Sequence, residues 1–131
     1  MSTHMNPEKV VFGFFIVMSL TLNFGFCLGD IDNPDYHSVY ELAAAIFVNL
    51  VATILKFGDR SQVGAVLLST SLVADLQLFA AAIIWAIALH VEQTGITPSV
   101  MVSIVSLAAG AMLANIISVL LLVIETAMLR R

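Results

Sequence analysis

The chain has 131 residues, of which 60% are apolar and 11% are charged. A soluble domain carries about 25% charged residues, so this chain lacks the polar surface that a soluble fold requires. Its formal net charge of −4, with only five Lys and Arg residues, excludes the basic surface of a nucleic-acid-binding protein. The composition predicts one domain, residues 1–131, whose main partner is the lipid bilayer.

Four apolar stretches follow one another along the chain, and each is long enough to cross a bilayer, which takes about 20 residues of helix. The connections between them are short, so neighbouring helices must run antiparallel. We therefore expect an all-α, up-down bundle of four transmembrane helices at about residues 10–28, 39–57, 63–90 and 98–128. Residues 1–5, with their His-Met pair, are interpreted as a possible leader left by cloning.

The basic residues predict the orientation of the bundle. Lys and Arg occur before the first helix, in the second connection and at the C-terminus: Lys9, Lys56, Arg60, Arg130 and Arg131. In an up-down bundle these positions share one side, which the positive-inside rule makes cytoplasmic. Both termini are therefore predicted to be cytoplasmic.

The opposite side of the membrane is predicted to be acidic. Four acids fall in the first and third connections: Asp30, Asp32, Asp35 and Glu92. We expect them to form an outer vestibule that raises the local concentration of inorganic cations.

The first connection also has weak features of a metal site. An EF-hand calcium loop needs Gly at its sixth position, where this sequence has Asp35. The candidates for a metal site are therefore weak: Asp30, Asp32, Asp35 and His37. No cofactor is expected, and no nucleophile–base pair or phosphate loop indicates an enzyme.

Polar residues in the middle of the membrane are the strongest functional signal. Asp75 lies near the centre of the third stretch, and Asn49 and Asn115 lie near the centres of the second and fourth. Their similar depth predicts one cluster, within the bundle or at a subunit interface. Two interpretations stay open: a site that handles cations or protons, or hydrogen bonds that only hold the helices together.

Further polar residues extend this possible ion pathway. Glu41, Asn49 and Thr53 share one face of the second helix, which either lines an aqueous path or forms a packing seam. Asn23 is a further polar residue of this pathway in the first helix, one turn after Ser19.

The fourth helix carries small residues at four-residue spacing, Ser106, Gly110 and Ala114, which predict close helix packing within or between subunits. Near the end of this helix, Glu125 is expected either to pair with Lys56 or Arg60, or to stay solvated at the interface.

Three segments resemble a family of small bacterial four-helix inner-membrane proteins of unknown function. These segments are residues 19–26 (SLTLNFGF), 29–34 (GDIDNP) and 71–78 (SLVADLQL). The resemblance covers nearly the whole chain from Met5 and implies a multi-pass protein of the bacterial inner membrane. It implies no activity and no site residue.

The leading functional hypothesis is a homo-oligomeric cation channel or cation/proton pathway. Four short spans leave little room for a pore within one protomer, so an oligomer is the natural way to build one. The alternative is a non-transporting accessory or assembly subunit of a membrane complex, in which Asp75 and the asparagines only join helices.

Overall fold

A computed structural model describes residues 7–92 and 95–129, which form four long helices and no strand. These are α1 (Pro7–Cys27), α2 (Val39–Lys56), α3 (Gln62–Ala86) and α4 (Pro98–Leu129). All four are long and apolar enough to cross a membrane, which confirms the predicted fold class of a multi-pass, all-α membrane protein. The leader suggested at residues 1–5 lies outside the described residues.

Local chemistry explains where the helices begin. α1 is described from Pro7, ahead of the predicted start at residue 10. Ser38 caps α2 by accepting from the backbone N–H of Tyr40 at 3.2 Å. Ser61 caps α3 in the same way, through Gly64 N–H at 2.9 Å.

Two short elements were not predicted. A 3-10 turn, Pro34–Tyr36, precedes α2, and Asn33 caps it by accepting from the backbone N–H of Asp35 at 3.0 Å. α3 continues into a π-helical turn, Ile87–Val91, which carries the helix towards the third connection. The hydrophobic pattern does not distinguish such a π turn from α-helix, because both keep the segment apolar.

The buried positions of the helices follow one repeat. In α4 the buried side chains recur after three and four residues in turn: Met101, Ile104, Ala108, Ala111, Asn115 and Ser118. The other three helices show the same spacing. This is the core pattern of a left-handed bundle with side chains interlocked between neighbours. The helices accordingly pack in a ring, α1 on α2, α2 on α3, α3 on α4 and α4 on α1.

The core is divided along the bundle axis. One apolar cluster lies towards the acidic end, where the first and third connections are; it includes Phe26, Leu42, Leu78, Met101 and Ile104. A second cluster lies towards the basic end, where the second connection is; it includes Phe12, Ile16, Ala52 and Leu67. Polar side chains occupy the core positions between the two clusters.

The small residues of α4 fulfil their expected role only in part. Ala114 is buried, and Gly110 lies against the Gln77 amide of α3, so a Cβ at Gly110 would collide with that amide. Ser106, by contrast, is exposed. The close packing at Gly110 is therefore between helices of one protomer, while Ser106 faces outwards.

Two ion pairs lie at the basic end, and one of them joins the first helix to the last. Lys9 at the start of α1 pairs with Glu125 near the end of α4. Lys56 pairs with Asp59, at 3.4 Å between Nζ and Oδ2. Both expectations for Glu125 are therefore wrong: it pairs with neither Lys56 nor Arg60, and it is not merely solvated, because α4 packs on α1 and brings Lys9 to it.

Gly29, directly after α1, gives the first stability prediction. Its φ of +90° favours glycine, and an added Cβ would lie 2.7 Å from Tyr36 Cβ. Gly29→Ala is therefore expected to lower the free energy of unfolding by about 1–2 kcal/mol. Thermal unfolding in detergent measures this. Gly58→Ala is the control, because nothing lies within 4 Å of a Cβ there; equal effects of the two substitutions would contradict the prediction.

Candidate functional site

A polar layer crosses the middle of the bundle and receives side chains from all four helices. We define it as Ser19 from α1, Asn49 and Thr53 from α2, Asp75 from α3 and Asn115 from α4. Each of these residues is at most 8% exposed. They lie at positions of the three-four repeat or next to them. Elsewhere in the core, the same repeat positions hold apolar residues. Their inward direction therefore follows from the helix packing.

The layer is connected by a directed chain of hydrogen bonds. Asn115 Nδ2–H donates to Ser19 Oγ at 3.2 Å. The Ser19 hydroxyl donates to Asn49 Oδ1 at 2.7 Å. Asn49 Nδ2–H donates in turn to Asp75 Oδ1 at 2.5 Å. Every bond in this chain donates towards Asp75, so the bonds polarise one another in one direction and the carboxyl group is the final acceptor.

The second oxygen of Asp75 faces Thr53. The Thr53 hydroxyl lies 2.6 Å from Asp75 Oδ2 and also 3.0 Å from the Asn49 backbone oxygen, one turn earlier in α2. No Lys, Arg or His in residues 7–92 and 95–129 pairs with this carboxyl group. Neutral donors alone therefore hold Asp75.

Several buried polar atoms near the layer lack a hydrogen-bond partner within the described residues. They are both amide atoms of Asn23, Ser71 Oγ and Asn115 Oδ1. A buried polar group without a partner costs about 1–3 kcal/mol. Three of these four atoms are oxygens, which bind water or a small, hard cation. The core at the depth of the layer therefore holds polar atoms that the described side chains leave unsatisfied.

Apolar side chains close the layer on both sides. Phe26 and Leu42 lie between it and the acidic end, and both are at most 1% exposed. Phe12 and Ile16 lie between it and the basic end, and both are fully buried. The polar layer is thus enclosed between two apolar clusters.

Glu41 lies outside this layer, in the first turn of α2. Its side chain is half-buried, and Oε2 would lie 2.5 Å from a Cβ added to Gly25. The carboxyl group therefore rests against the backbone of α1, at a place that a glycine leaves open. Glu41 lies at the acidic end of the bundle, beyond the apolar cluster that contains Phe26 and Leu42.

The four acids proposed for the outer vestibule are all exposed at the acidic end: Asp30, Asp32, Asp35 and Glu92. His37 does not face them as a metal ligand would. It is 3% exposed, and its ring nitrogens face the backbone oxygens of Phe26 and Asp30, the latter at 2.7 Å. Residues 7–92 and 95–129 contain no group of three or more His, Cys, Asp or Glu placed to hold a metal.

The structure therefore brings together four of the six residues proposed for the ion pathway: Asp75, Asn49, Thr53 and Asn115. Asn23 is buried one turn beyond Ser19 but forms no hydrogen bond with the layer, and Glu41 lies above it.

Four residues were not predicted to take part in these contacts: Ser19, Thr70, Ser71 and Ser118. Ser19 bridges Asn49 and Asn115, the backbone oxygen of Ser71 accepts from Asn49 Nδ2 at 3.2 Å, and the Thr70 and Ser118 hydroxyls are 2.5 Å apart. The signal that could have found Ser19, Ser71 and Ser118 is the three-four repeat, since each occupies a core position.

Residues 36–126 match the model of a family of unknown function, DUF6394. The chain belongs to this family. Membership in DUF6394 confirms the resemblance to a family without an assigned activity. The matched stretch contains α2, α3 and most of α4, and with them Asn49, Thr53, Asp75 and Asn115, whereas Ser19 in α1 lies outside it. No curated protein and no solved structure matches the chain.

Proposed function

We propose that this DUF6394 protein carries protons or small inorganic cations across the membrane, with Asp75 as the binding group. One observation carries the proposal: the Asp75 carboxyl group is buried among neutral donors and has no cationic partner in the described residues. A charged carboxylate in that position is very costly. It is neutralised either by a proton or by a bound cation, and exchange of either is the elementary step of transport.

The hydrogen count at Thr53 supports a proton on Asp75. The Thr53 hydroxyl has one hydrogen but two oxygen neighbours, the Asn49 backbone oxygen and Asp75 Oδ2. Both contacts are satisfied when Thr53 donates to the backbone oxygen and a protonated Oδ2 donates to Thr53. Loss of that proton would leave the single Thr53 hydroxyl hydrogen shared between the Asn49 backbone oxygen and Asp75 Oδ2. Proton release would therefore change the hydrogen bonds between α2 and α3.

The enclosure of the layer favours a carrier over an open channel. Apolar clusters separate Asp75 from both ends, so cations would reach it through alternate opening of the two sides. The layer lies inside one protomer, so this pathway does not need a pore on an oligomer axis. Ser103 and Ser106 are exposed on α4, and such small residues support contacts between copies in a homo-oligomer.

We place the protein in the bacterial inner membrane with both termini cytoplasmic. The basic residues at one end support this orientation through the positive-inside rule. The acids of the vestibule then face outwards, where they would attract cations to the entrance.

A non-transporting accessory subunit is the second candidate. The observation that favours it is the same enclosure: a hydrogen-bonded layer that joins four helices between two apolar clusters is sufficient to fix their packing. In that case the protein would act through a larger complex, and Asp75 would bind nothing that moves.

Flux measurements in liposomes separate these two functions. Purified protein is reconstituted with a pH-sensitive dye inside, and proton flux is driven by a pH gradient in K⁺ or Na⁺ buffers. We expect flux above that of empty liposomes, and a fall of about tenfold or more in Asp75→Asn, which keeps the shape but cannot exchange a proton. Ser69→Ala is the matched control and should stay within about twofold, because Ser69 is exposed on the same helix and bonds only to the backbone oxygen of Ala65. Absence of proton flux at verified reconstitution would reject proton transport, and absence of K⁺ and Na⁺ flux, measured with ion-sensitive dyes in the same liposomes, would reject cation transport.

A further inference from the structure

A pocket of about 800 Å³ opens at the basic end of the bundle, between the start of α1 and the connection from α2 to α3. Part of its wall is apolar and belongs to the membrane-spanning helices: Val11, Ile54 and Leu55. All three side chains are exposed on the outer surface of the bundle. The pocket therefore extends from the hydrocarbon region to the level where the helices end.

The rest of the wall carries charges of both signs. Lys56 and Arg60 are positive, and Glu8 and Asp59 are negative. Arg60 is exposed and forms no ion pair within the two described ranges. Lys56 is only 8% exposed, and its Nζ lies 4.3 Å from the centre of the Phe12 ring. One cation is thus held in place by packing, while the other can reach a ligand.

Asp59 is also held in place. The backbone N–H and the hydroxyl of Ser61 donate to Asp59 Oδ1 at 2.9 and 2.7 Å, and Oδ2 lies 3.4 Å from Lys56 Nζ. The hydrogen bonds from Ser61, and then the charge of Lys56, hold the pKa of Asp59 below its usual range. The carboxylate therefore stays negative at neutral pH, and the pocket presents fixed charges of both signs.

We propose that this pocket binds the headgroup of a zwitterionic aminophospholipid. Its phosphate contacts Arg60, its ammonium contacts Asp59 on the side of the pocket where Glu8 lies, and an acyl chain follows the apolar wall at Val11. A phosphate bound to Arg makes charge-assisted hydrogen bonds. The carboxylates discriminate against a headgroup that has only negative charge, and a trimethylammonium group has no N–H to donate to them. A free phosphate would gain nothing from the apolar wall.

Lipid retention tests this inference independently of transport. The protein is purified into nanodiscs of phosphatidylcholine that contain equal small amounts of phosphatidylethanolamine and phosphatidylglycerol, and bound lipids are identified by native mass spectrometry. We expect phosphatidylethanolamine to be enriched about fivefold over each of the other two. Glycerophosphoethanolamine, the headgroup without acyl chains, should compete about tenfold more weakly than the lipid. Equal competition would mean that the pocket binds a free phosphate ester instead.

Two variants and a control assign the roles of the charges. Arg60→Gln should lower retention of all three lipids about fivefold, because the phosphate contact is common to them. Asp59→Asn keeps an oxygen for Ser61 but loses the charge, so the preference for phosphatidylethanolamine over phosphatidylcholine should disappear. Lys9→Gln removes a positive charge at the same end but does not line the pocket, so it should leave retention unchanged. Enrichment of phosphatidylglycerol in the wild type, or equal effects of Arg60→Gln and Lys9→Gln, would overturn the proposal.

Discussion

Replacing Asn49 with leucine is expected to lower the free energy of unfolding by about 2–4 kcal/mol. Asn49 is the centre of the polar layer. It accepts from Ser19 and donates to Asp75 and to the backbone oxygen of Ser71. Leucine fills a similar volume but leaves Asp75 Oδ1 without its donor in an apolar interior, and the Ser19 hydroxyl must turn to a backbone oxygen of its own helix. The cost comes mainly from this unsatisfied oxygen, because a single interhelical hydrogen bond in a membrane contributes only about 0.6 kcal/mol.

Reversible unfolding in mixed detergent and denaturant micelles measures this effect. The control is Ser69→Leu in α3, which is exposed and bonds only to the backbone oxygen of Ala65 in its own helix, at 3.0 Å. The control is expected to change stability by less than about 0.5 kcal/mol. If Asn49→Leu had an effect as small as that of Ser69→Leu, the layer would not hold the helices together.

The second expected result is a separation of stability from transport in the double variant Asn49→Leu/Asp75→Leu. This variant removes both ends of the shortest interhelical hydrogen bond in the layer. Thr53 keeps the backbone oxygen of residue 49 as its acceptor, and Ser19 can donate to a backbone oxygen one turn earlier in α1. Replacing both partners of a buried polar pair by apolar side chains is often neutral or stabilising. The double variant should therefore be within about 1 kcal/mol of the wild type in stability.

Cation or proton flux through the same double variant should nevertheless fall to the level of empty liposomes, because no group remains that can bind the ion. The pair of measurements distinguishes the two proposed functions. A stable double variant that still conducts would remove Asp75 from the mechanism. A double variant that is less stable than Asn49→Leu alone would mean that the Asp75 carboxyl group itself has a structural role that leucine cannot replace.

The location of the helices and the depth of the polar residues are properties of the sequence itself. The cost of placing polar groups in hydrocarbon acts on each segment separately, so length and hydropathy are enough to identify four spans. Ser38 and Ser61 fix the starts of α2 and α3 through local hydrogen bonding. The presence of Asp75, Asn49 and Asn115 at similar depth follows from counting residues along each span.

Which polar atoms meet is decided only by the tertiary structure. Ser19 and Asn115 are separated by 96 positions in the chain, and Asn49 and Asp75 by 26. Their contact depends on the rotation of each helix about its axis, which the whole packed interface sets. The same dependence explains why Glu125 pairs with Lys9, why Ser106 faces outwards and why Ser19 joins the layer. The two apolar clusters that enclose Asp75 depend on the tertiary structure for the same reason, because each combines side chains from separate helices.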